Sequence, residues 1–138
     1  MYKLKTESFV LELEPKVYQS DLSYSVNTSL NVKVVSYGFS AESIIDIDVR
    51  EFADFAVQLN ELYETLGGSA RLEEPYGLHS YIEFTGGDRG YIKVKGNISA
   101  CNAYGYVQEI TFQNEIEQTY LKSFVKTLFA DYKKYTEK

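Results

Sequence analysis

The chain has 138 residues, a formal net charge of −6 and a single cysteine. This length suits one domain over residues 1–138, and Cys101 has no partner for a disulfide, which favours a reducing, cytoplasmic compartment. No apolar run follows the N-terminal charges, and none approaches the ~18 residues of a membrane helix, which argues against a signal peptide and a membrane anchor.

The first part of the chain predicts three strands. Apolar and polar residues alternate over residues 8–14, and Pro15 is expected to end that strand because proline cannot donate to a ladder. Residues 29–37 form the second predicted strand, closed by Gly38. A shorter third strand is predicted over residues 43–47.

A helix follows, with Asp48 as its N-cap. Its apolar stripe recurs at three- and four-residue spacing, and Gly67-Gly68 is expected to end it in a left-handed C-cap. The stripe consists of Phe52, Phe55, Ala56, Leu59, Leu62, Tyr63 and Leu66.

Four more strands are predicted over residues 70–73, 80–85, 91–95 and 104–113. The glycine-rich residues 86–90 run from strand to strand and lack the lysine of a phosphate loop, so a hairpin turn is favoured over a phosphate site. A turn symmetric about Asp88 would place Glu83 opposite Lys93. Residues 96–103 are predicted as a loop.

The last segment predicts a helix that runs to Tyr135, with Asn114 as its N-cap and Phe124, Leu128 and Phe129 in its stripe. The runs of strands joined by short links predict an α+β fold of two layers. This fold is a mainly antiparallel sheet of about six to seven strands with both helices packed on one face.

The acidic charge is concentrated in residues 42–74, where nine acidic residues stand against Arg50 and Arg71. Such a segment is either the solvated face of a helix and its flanks or a surface that attracts a basic partner and repels nucleic acid.

Thirteen tyrosines are the most unusual feature of the composition. Tyr81, Tyr91, Tyr104 and Tyr106 are expected on or near the sheet face that the apolar strand residues leave free. Strand propensity alone explains such a face, and so does a protein–protein interface.

No motif indicates catalysis, a cofactor or a metal site. His79 is the only histidine, and Cys101 lies in no recognisable motif, so no spacing supplies a nucleophile with its base or a metal shell. His79 is expected to be a surface residue.

The chain resembles the WapI-type immunity proteins, small bacterial antitoxins found beside contact-delivered toxins. The resemblance rests on stretches in the same order along the chain. These are Phe9-Val10-Leu11-Glu12-Leu13, Asp48-Val49-Arg50-Glu51-Phe52, Leu59-Asn60-Glu61-Leu62, Ala70-Arg71-Leu72-Glu73-Glu74-Pro75, Tyr81-Ile82-Glu83-Phe84, Ile110-Thr111-Phe112 and Gln118-Thr119-Tyr120-Leu121.

The resemblance implies a non-enzymatic cytoplasmic protein that binds and neutralises a cognate toxin domain, a basic nuclease, by occlusion. The expected partner is thus a protein, with no nucleic acid and no membrane. The candidate contacts are Glu61, Glu64, Glu73, Glu74, Tyr81 and Glu83. The alternative is a non-catalytic small-ligand-binding or regulatory domain, which a neighbouring toxin gene would argue against.

Overall fold

The computed structural model describes residues 1–136 and contains two antiparallel four-stranded sheets and two helices. The first sheet has the strand order β1 (Tyr2–Lys5), β2 (Phe9–Val17), β3 (Thr28–Ser36) and β4 (Phe39–Ile47). The second sheet has the order β5 (Ser69–Glu73), β6 (Tyr81–Gly86), β7 (Tyr91–Cys101) and β8 (Val107–Glu117). The helices are α1 (Val49–Thr65) and α2 (Lys122–Tyr132), with short 3₁₀ turns at Gln118–Tyr120 and Lys133–Thr136.

The α+β class and the antiparallel pairing are confirmed, but the eight strands form two sheets where the sequence predicted one. Helix α1 separates two meanders, so each sheet is built from one contiguous stretch of chain. The strand that sequence reasoning missed is β1, whose only buried residue is Leu4. One apolar residue between two lysines gives too weak an alternation to predict a strand.

The inner faces of the two sheets and the helices share one apolar core. The rings of Phe9 on β2 and Phe112 on β8 are 5.6 Å apart, so the two sheets pack against each other directly. Helix α1 packs on the second sheet, with Phe55 6.2 Å from Phe84 on β6. Helix α2 packs on α1 and β1 instead, and the Tyr2 hydroxyl donates a 2.6 Å hydrogen bond to Asp131.

Pro15 does not end its strand. Strand β2 continues to Val17, with Pro15 opposite Leu30 on β3. On its other side β2 pairs with β1 only as far as Leu13, so Pro15 lies where that edge is free and its missing N–H breaks no ladder.

The predicted loop 96–103 is wrong, because β7 runs on to Cys101. Gly96 lies inside the strand, and a Cβ built on it would come within 2.4 Å of the Tyr81 carbonyl oxygen and 2.7 Å of the Phe112 ring. Gly96 therefore allows the neighbouring strands to approach closely and does not mark a turn.

Asn114 is not a helix N-cap, because β8 extends through it to Glu117. Phe112, Asn114 and Ile116 are all buried on the inner face of that strand. The helix begins only at Lys122, after the 3₁₀ turn. The local sequence does not distinguish an asparagine on the buried face of a strand from a helix N-cap, because apolar residues follow at short spacing in both cases.

The hairpin turn at residues 86–90 is confirmed, but its register is shifted by two residues. Glu83 lies opposite Lys95 and Phe84 opposite Val94, because β6 extends through Gly86 before the chain turns. A shift of two residues keeps every side chain on its predicted face, whereas a shift of one residue would have moved each side chain to the opposite face of the sheet.

The predicted cap of α1 is confirmed, since the Asp48 side chain accepts a hydrogen bond from the Arg50 N–H. The left-handed C-cap falls on Leu66, with φ of 58°, one residue before the predicted glycines. The named apolar stripes of both helices are buried as expected, except that Tyr63, Leu66 and Phe129 are only half-buried.

Candidate partner-binding surface

Three of the predicted contact residues meet around Arg71 on the outer face of the second sheet. Arg71 binds Glu73 at 3.2 Å and Glu83 at 3.1 Å, and its guanidinium carbon lies 4.0 Å from the centre of the Tyr81 ring. Lys95 reaches the other Glu83 oxygen at 3.5 Å. We call these five residues the Arg71 cluster.

The strand register explains the Arg71 cluster. Glu73 pairs with Tyr81, Arg71 with Glu83, and Glu83 with Lys95, so all five side chains project from the same face. Sequence reasoning missed Arg71 and Lys95 as members of the site. The signal was present for Arg71, because residues at i and i+2 on a strand share a face.

The Arg71 cluster is electrically balanced. Partial burial works against the charged guanidinium, but the hydrogen bonds and charges of Glu73 and Glu83 outweigh it and raise the pKa of Arg71. Two cations thus compensate two carboxylates, and Tyr81 lies under the guanidinium as a cation–π partner.

Glu61 and Glu64 lie on the exposed side of α1, which packs on the opposite face of the sheet from Tyr81 and Glu83. Glu64 forms an ion pair with Lys126 of α2, whose ammonium also donates to the Asn60 side chain at 2.8 Å. The six predicted contacts therefore do not share one face.

Glu74 lies in the connection between β5 and β6, where its backbone N–H donates to the Ser80 carbonyl at 2.8 Å. Its carboxylate folds over Gly77, and a Cβ built on that glycine would be 3.5 Å from the nearest carboxylate oxygen. Gly77 has φ of +78°, so the turn that holds Glu74 suits glycine through its backbone conformation.

Other acidic residues of the segment 42–74 have structural roles. Asp48 accepts from Arg50 and from the Asn27 amide at 3.1 Å. Burial opposes this carboxylate, but those hydrogen bonds outweigh it and lower the pKa of Asp48. Burial, followed by repulsion from Asp48 and Asp54, raises the pKa of Glu51.

The four singled-out tyrosines divide into two pairs. Tyr81 and Tyr91 lie on the outer face of the second sheet, as predicted. Tyr104 and Tyr106 lie in the turn that joins β7 to β8 and are 87% and 69% exposed. The hairpin carries this pair beyond the sheet face because β7 and β8 pair as far out as Cys101 and Val107.

His79 and Cys101, the only histidine and the only cysteine, both lie on the surface. His79 is exposed with φ of 56°, and Cys101 is exposed at the end of β7. Within residues 1–136, no group of three His, Cys, Asp or Glu side chains is placed to hold a metal ion. Over the same residues, no helix is long and apolar enough to cross a membrane.

An open cleft of about 600 Å³ lies between β4, the β5–β6 connection and the end of β7. Ile44, Leu78 and Cys101 line it together with Glu42 and Glu74. Another open cleft, of about 430 Å³, lies between β4, the end of β7 and the start of β8.

A model described as the Immunity protein WapI-like family matches residues 3–136, nearly the whole chain. The comparison with curated proteins gives no match.

Proposed function

Because the chain belongs to the WapI-like immunity protein family, we propose that it is a non-enzymatic antitoxin that binds a cognate toxin domain and occludes its active surface. In this proposal the toxin is a basic nuclease and the complex forms in the bacterial cytoplasm. The family match over residues 3–136 is the observation that carries the proposal. The acidic balance of the chain supports the choice of a basic partner.

The electrostatic part of this function is steering. A nuclease grips phosphates with lysine and arginine, so it presents a positive surface to an acidic partner. Complementary potentials raise the rate of encounter and orient the two proteins before contact. Glu61 and Glu74 carry this role best, because neither has a cationic partner within residues 1–136.

Glu64, Glu73 and Glu83 contribute less to steering, since Lys126, Arg71 and Lys95 already offset their charge. Their proposed role, with Tyr81, is to present a rigid polar contact. Exposed ion pairs contribute only about 0–1 kcal/mol to stability, so a partner can exchange these pairs for its own at small cost.

The direct test is co-expression with the C-terminal domain of the toxin encoded by the adjacent gene. We expect the parent to restore growth and to bind the purified domain in surface plasmon resonance. The variant Glu61→Gln with Glu74→Gln should associate more slowly, with the largest difference at low salt. A parent that neither protects nor binds would remove the proposal.

A further inference from the structure

A continuous surface follows the line where the two sheets meet. The Ser43 hydroxyl of β4 donates to the Ser99 carbonyl of β7 at 2.9 Å, and the Ser99 N–H donates to the Ser80 hydroxyl at 3.0 Å. These bonds tie β4 to β7, and β7 to the residue that precedes β6. We call the surface around them the seam surface, and it consists of residues 39–44, 74–79 and 98–110.

The most prominent part of the seam surface is the tip of the β7–β8 hairpin, which Asn102 holds in a defined shape. The Asn102 side-chain oxygen accepts from the N–H groups of Tyr104 at 2.9 Å and Tyr106 at 3.0 Å. The Asn102 N–H donates to the Tyr106 carbonyl at 2.9 Å, and Gly105 supplies the left-handed residue with φ of 86°. This is an Asx-stabilised turn, ordered by its own hydrogen bonds.

The tip is apolar as well as exposed. Residues 98–108 contain no charged side chain, in a chain of which 25% is charged. Tyr104, Tyr106 and Val107 are exposed there, and on β4, in the cleft beside Cys101, Ile44 is 70% exposed. An exposed concentration of large apolar side chains is the usual mark of an interaction site.

The seam surface also carries carboxylates that form no ion pair with a lysine or arginine within residues 1–136. Glu42 and Glu74 line one cleft, Glu42 and Glu109 line the other, and neither lining includes a lysine or an arginine. Neutral groups orient two of these carboxylates. The Asn31 amide donates to Glu42 at 3.2 Å, and the Asn97 amide donates to Glu109 at 3.2 Å.

This separates the seam surface from the Arg71 cluster. Glu73 and Glu83 form ion pairs with Arg71, whereas Glu42, Glu74 and Glu109 line open clefts and form no ion pair within residues 1–136. An apolar aromatic centre bordered by carboxylates is complementary to a surface whose apolar pocket is bordered by lysine or arginine.

We propose that the seam surface is the anchoring site for the toxin domain, an inference that rests on the proposed function. Tyr104 and Tyr106 enter an apolar pocket of the toxin, and Glu42, Glu74 and Glu109 receive its basic side chains. Tyrosine suits this role because it buries a large area while losing the freedom of only two side-chain torsions. The preformed turn lowers the ordering cost further.

The test uses the purified C-terminal domain of the toxin encoded by the adjacent gene as the surface plasmon resonance probe. The variant Tyr104→Ser with Tyr106→Ser should bind about thirtyfold more weakly, mainly through faster dissociation, as for loss of interface hot spots. The matched control is Tyr91→Ser with Tyr120→Ser, which removes two exposed tyrosines at the opposite end of the β7–β8 hairpin. The control should bind within about twofold of the parent.

A charge arm tests the carboxylates. Glu42→Gln with Glu109→Gln should slow association and flatten its salt dependence. The control, Asp88→Asn with Glu117→Gln, removes the same charge at the other end of the β7–β8 hairpin, about 30 Å away at the rise of an extended strand. If the control slows association as much as the seam variant does, the effect depends on net charge and not on position, and this part of the proposal is overturned.

Two results separate this inference from the function on which it rests. Suppose that the parent binds and protects, and that the variant Tyr104→Ser with Tyr106→Ser binds as tightly as the parent. The seam surface is then not the anchoring site, and the proposed function stands. If the parent does not bind the toxin domain, both fall. Hydrogen exchange on the unsubstituted protein tests the proposal even if a variant misfolds. Slower amide exchange over residues 100–108 in the complex than in the free protein supports the proposal, and unchanged exchange there overturns it.

Discussion

The Asn114 amide of β8 donates a 2.9 Å hydrogen bond to the Ser36 hydroxyl of β3, and both side chains are buried. This polar contact lies within the apolar packing of the two sheets and joins residues 78 positions apart in the chain. A buried polar pair of this kind favours one alignment of the sheets, because any slip leaves both groups without a partner.

Asn114→Ala should therefore destabilise the protein by about 1–3 kcal/mol, since it leaves the Ser36 hydroxyl buried and unpaired. Ser36→Ala should have a comparable effect. The double variant should lose less than the sum of the two, because the second change removes a group that is already unpaired. Urea unfolding of all four proteins measures the coupling, and strict additivity would show that the bond contributes nothing.

Gly96→Ala should cost about 1–3 kcal/mol through overpacking, because its Cβ would enter the space of the Tyr81 carbonyl and the Phe112 ring. Gly38→Ala is the matched control, since a Cβ at Gly38 meets nothing within 4 Å. Thermal unfolding should separate the two variants clearly. Equal melting temperatures would contradict the close approach of β6, β7 and β8.

Phe52→Ala should cost about 3–5 kcal/mol, because the ring is fully buried and packs edge-on against Tyr132 at 4.8 Å. Phe129→Ala on α2 should cost clearly less, because that ring is half-buried and faces the Lys133 ammonium at 5.4 Å. Denaturant titration of both variants checks the order. A larger loss at Phe129 would contradict the packing of α2.

Asp48→Asn tests the lowered pKa of the helix cap. A carboxylate whose pKa is lowered by folding stabilises the protein above its ordinary pKa of about 3.9 and loses that contribution as pH falls through the folded value. The variant should thus be less stable than the parent at pH 7, and the gap should close in acid. Unfolding free energies measured from pH 7 to pH 2.5 check this.

Glu51→Gln should show the opposite sign. Because folding raises the pKa of Glu51, its contribution is present below the ordinary value of about 4.3 and is lost as pH rises through the folded value. Glu51→Gln should therefore gain stability relative to the parent between pH 3 and pH 7. The same pH series on this variant provides the comparison, and parallel curves would contradict the direction of the shift.

Arg71→Met tests the charge balance on the outer face of the second sheet. Loss of exposed ion pairs should change the unfolding free energy by less than about 1 kcal/mol. Glu73 would be left without a cation and Glu83 with Lys95 alone, so association with a basic toxin domain should become faster at low salt. Arg89→Met, in the exposed β6–β7 turn, is the control for net charge alone. Rates measured at several ionic strengths decide between them.

The parts of the fold that the sequence predicts well are those with local causes. The Asp48 cap and the α1 stripe follow from helical periodicity within one segment. The sequence predictions are wrong at three residues whose place depends on tertiary contacts. Pro15 lies where the edge of its strand is free, Gly96 lies where neighbouring strands approach closely, and Asn114 binds a partner on the other sheet. No local pattern carries such information.

The candidate site shows the same division. The shared outer face of Glu73, Tyr81 and Glu83 could be predicted from strand alternation, although their pairing with Arg71 and Lys95 required the register. Tyr104 and Tyr106 were singled out from the sequence, but their place at a hairpin tip was missed because residues 96–103 contain the glycine and asparagine that usually mark a loop. Asn102 indeed forms a turn, but at the end of a paired hairpin.

The order of the strands has a consequence for folding. Residues 2–47 form the first sheet and residues 69–117 the second, so each can pair its neighbours before the two meet. The surface along their junction exists only once β4 has docked beside β7. A partner that binds there recognises the finished assembly alone, and it stabilises that assembly by an amount that grows with the partner's concentration relative to its Kd.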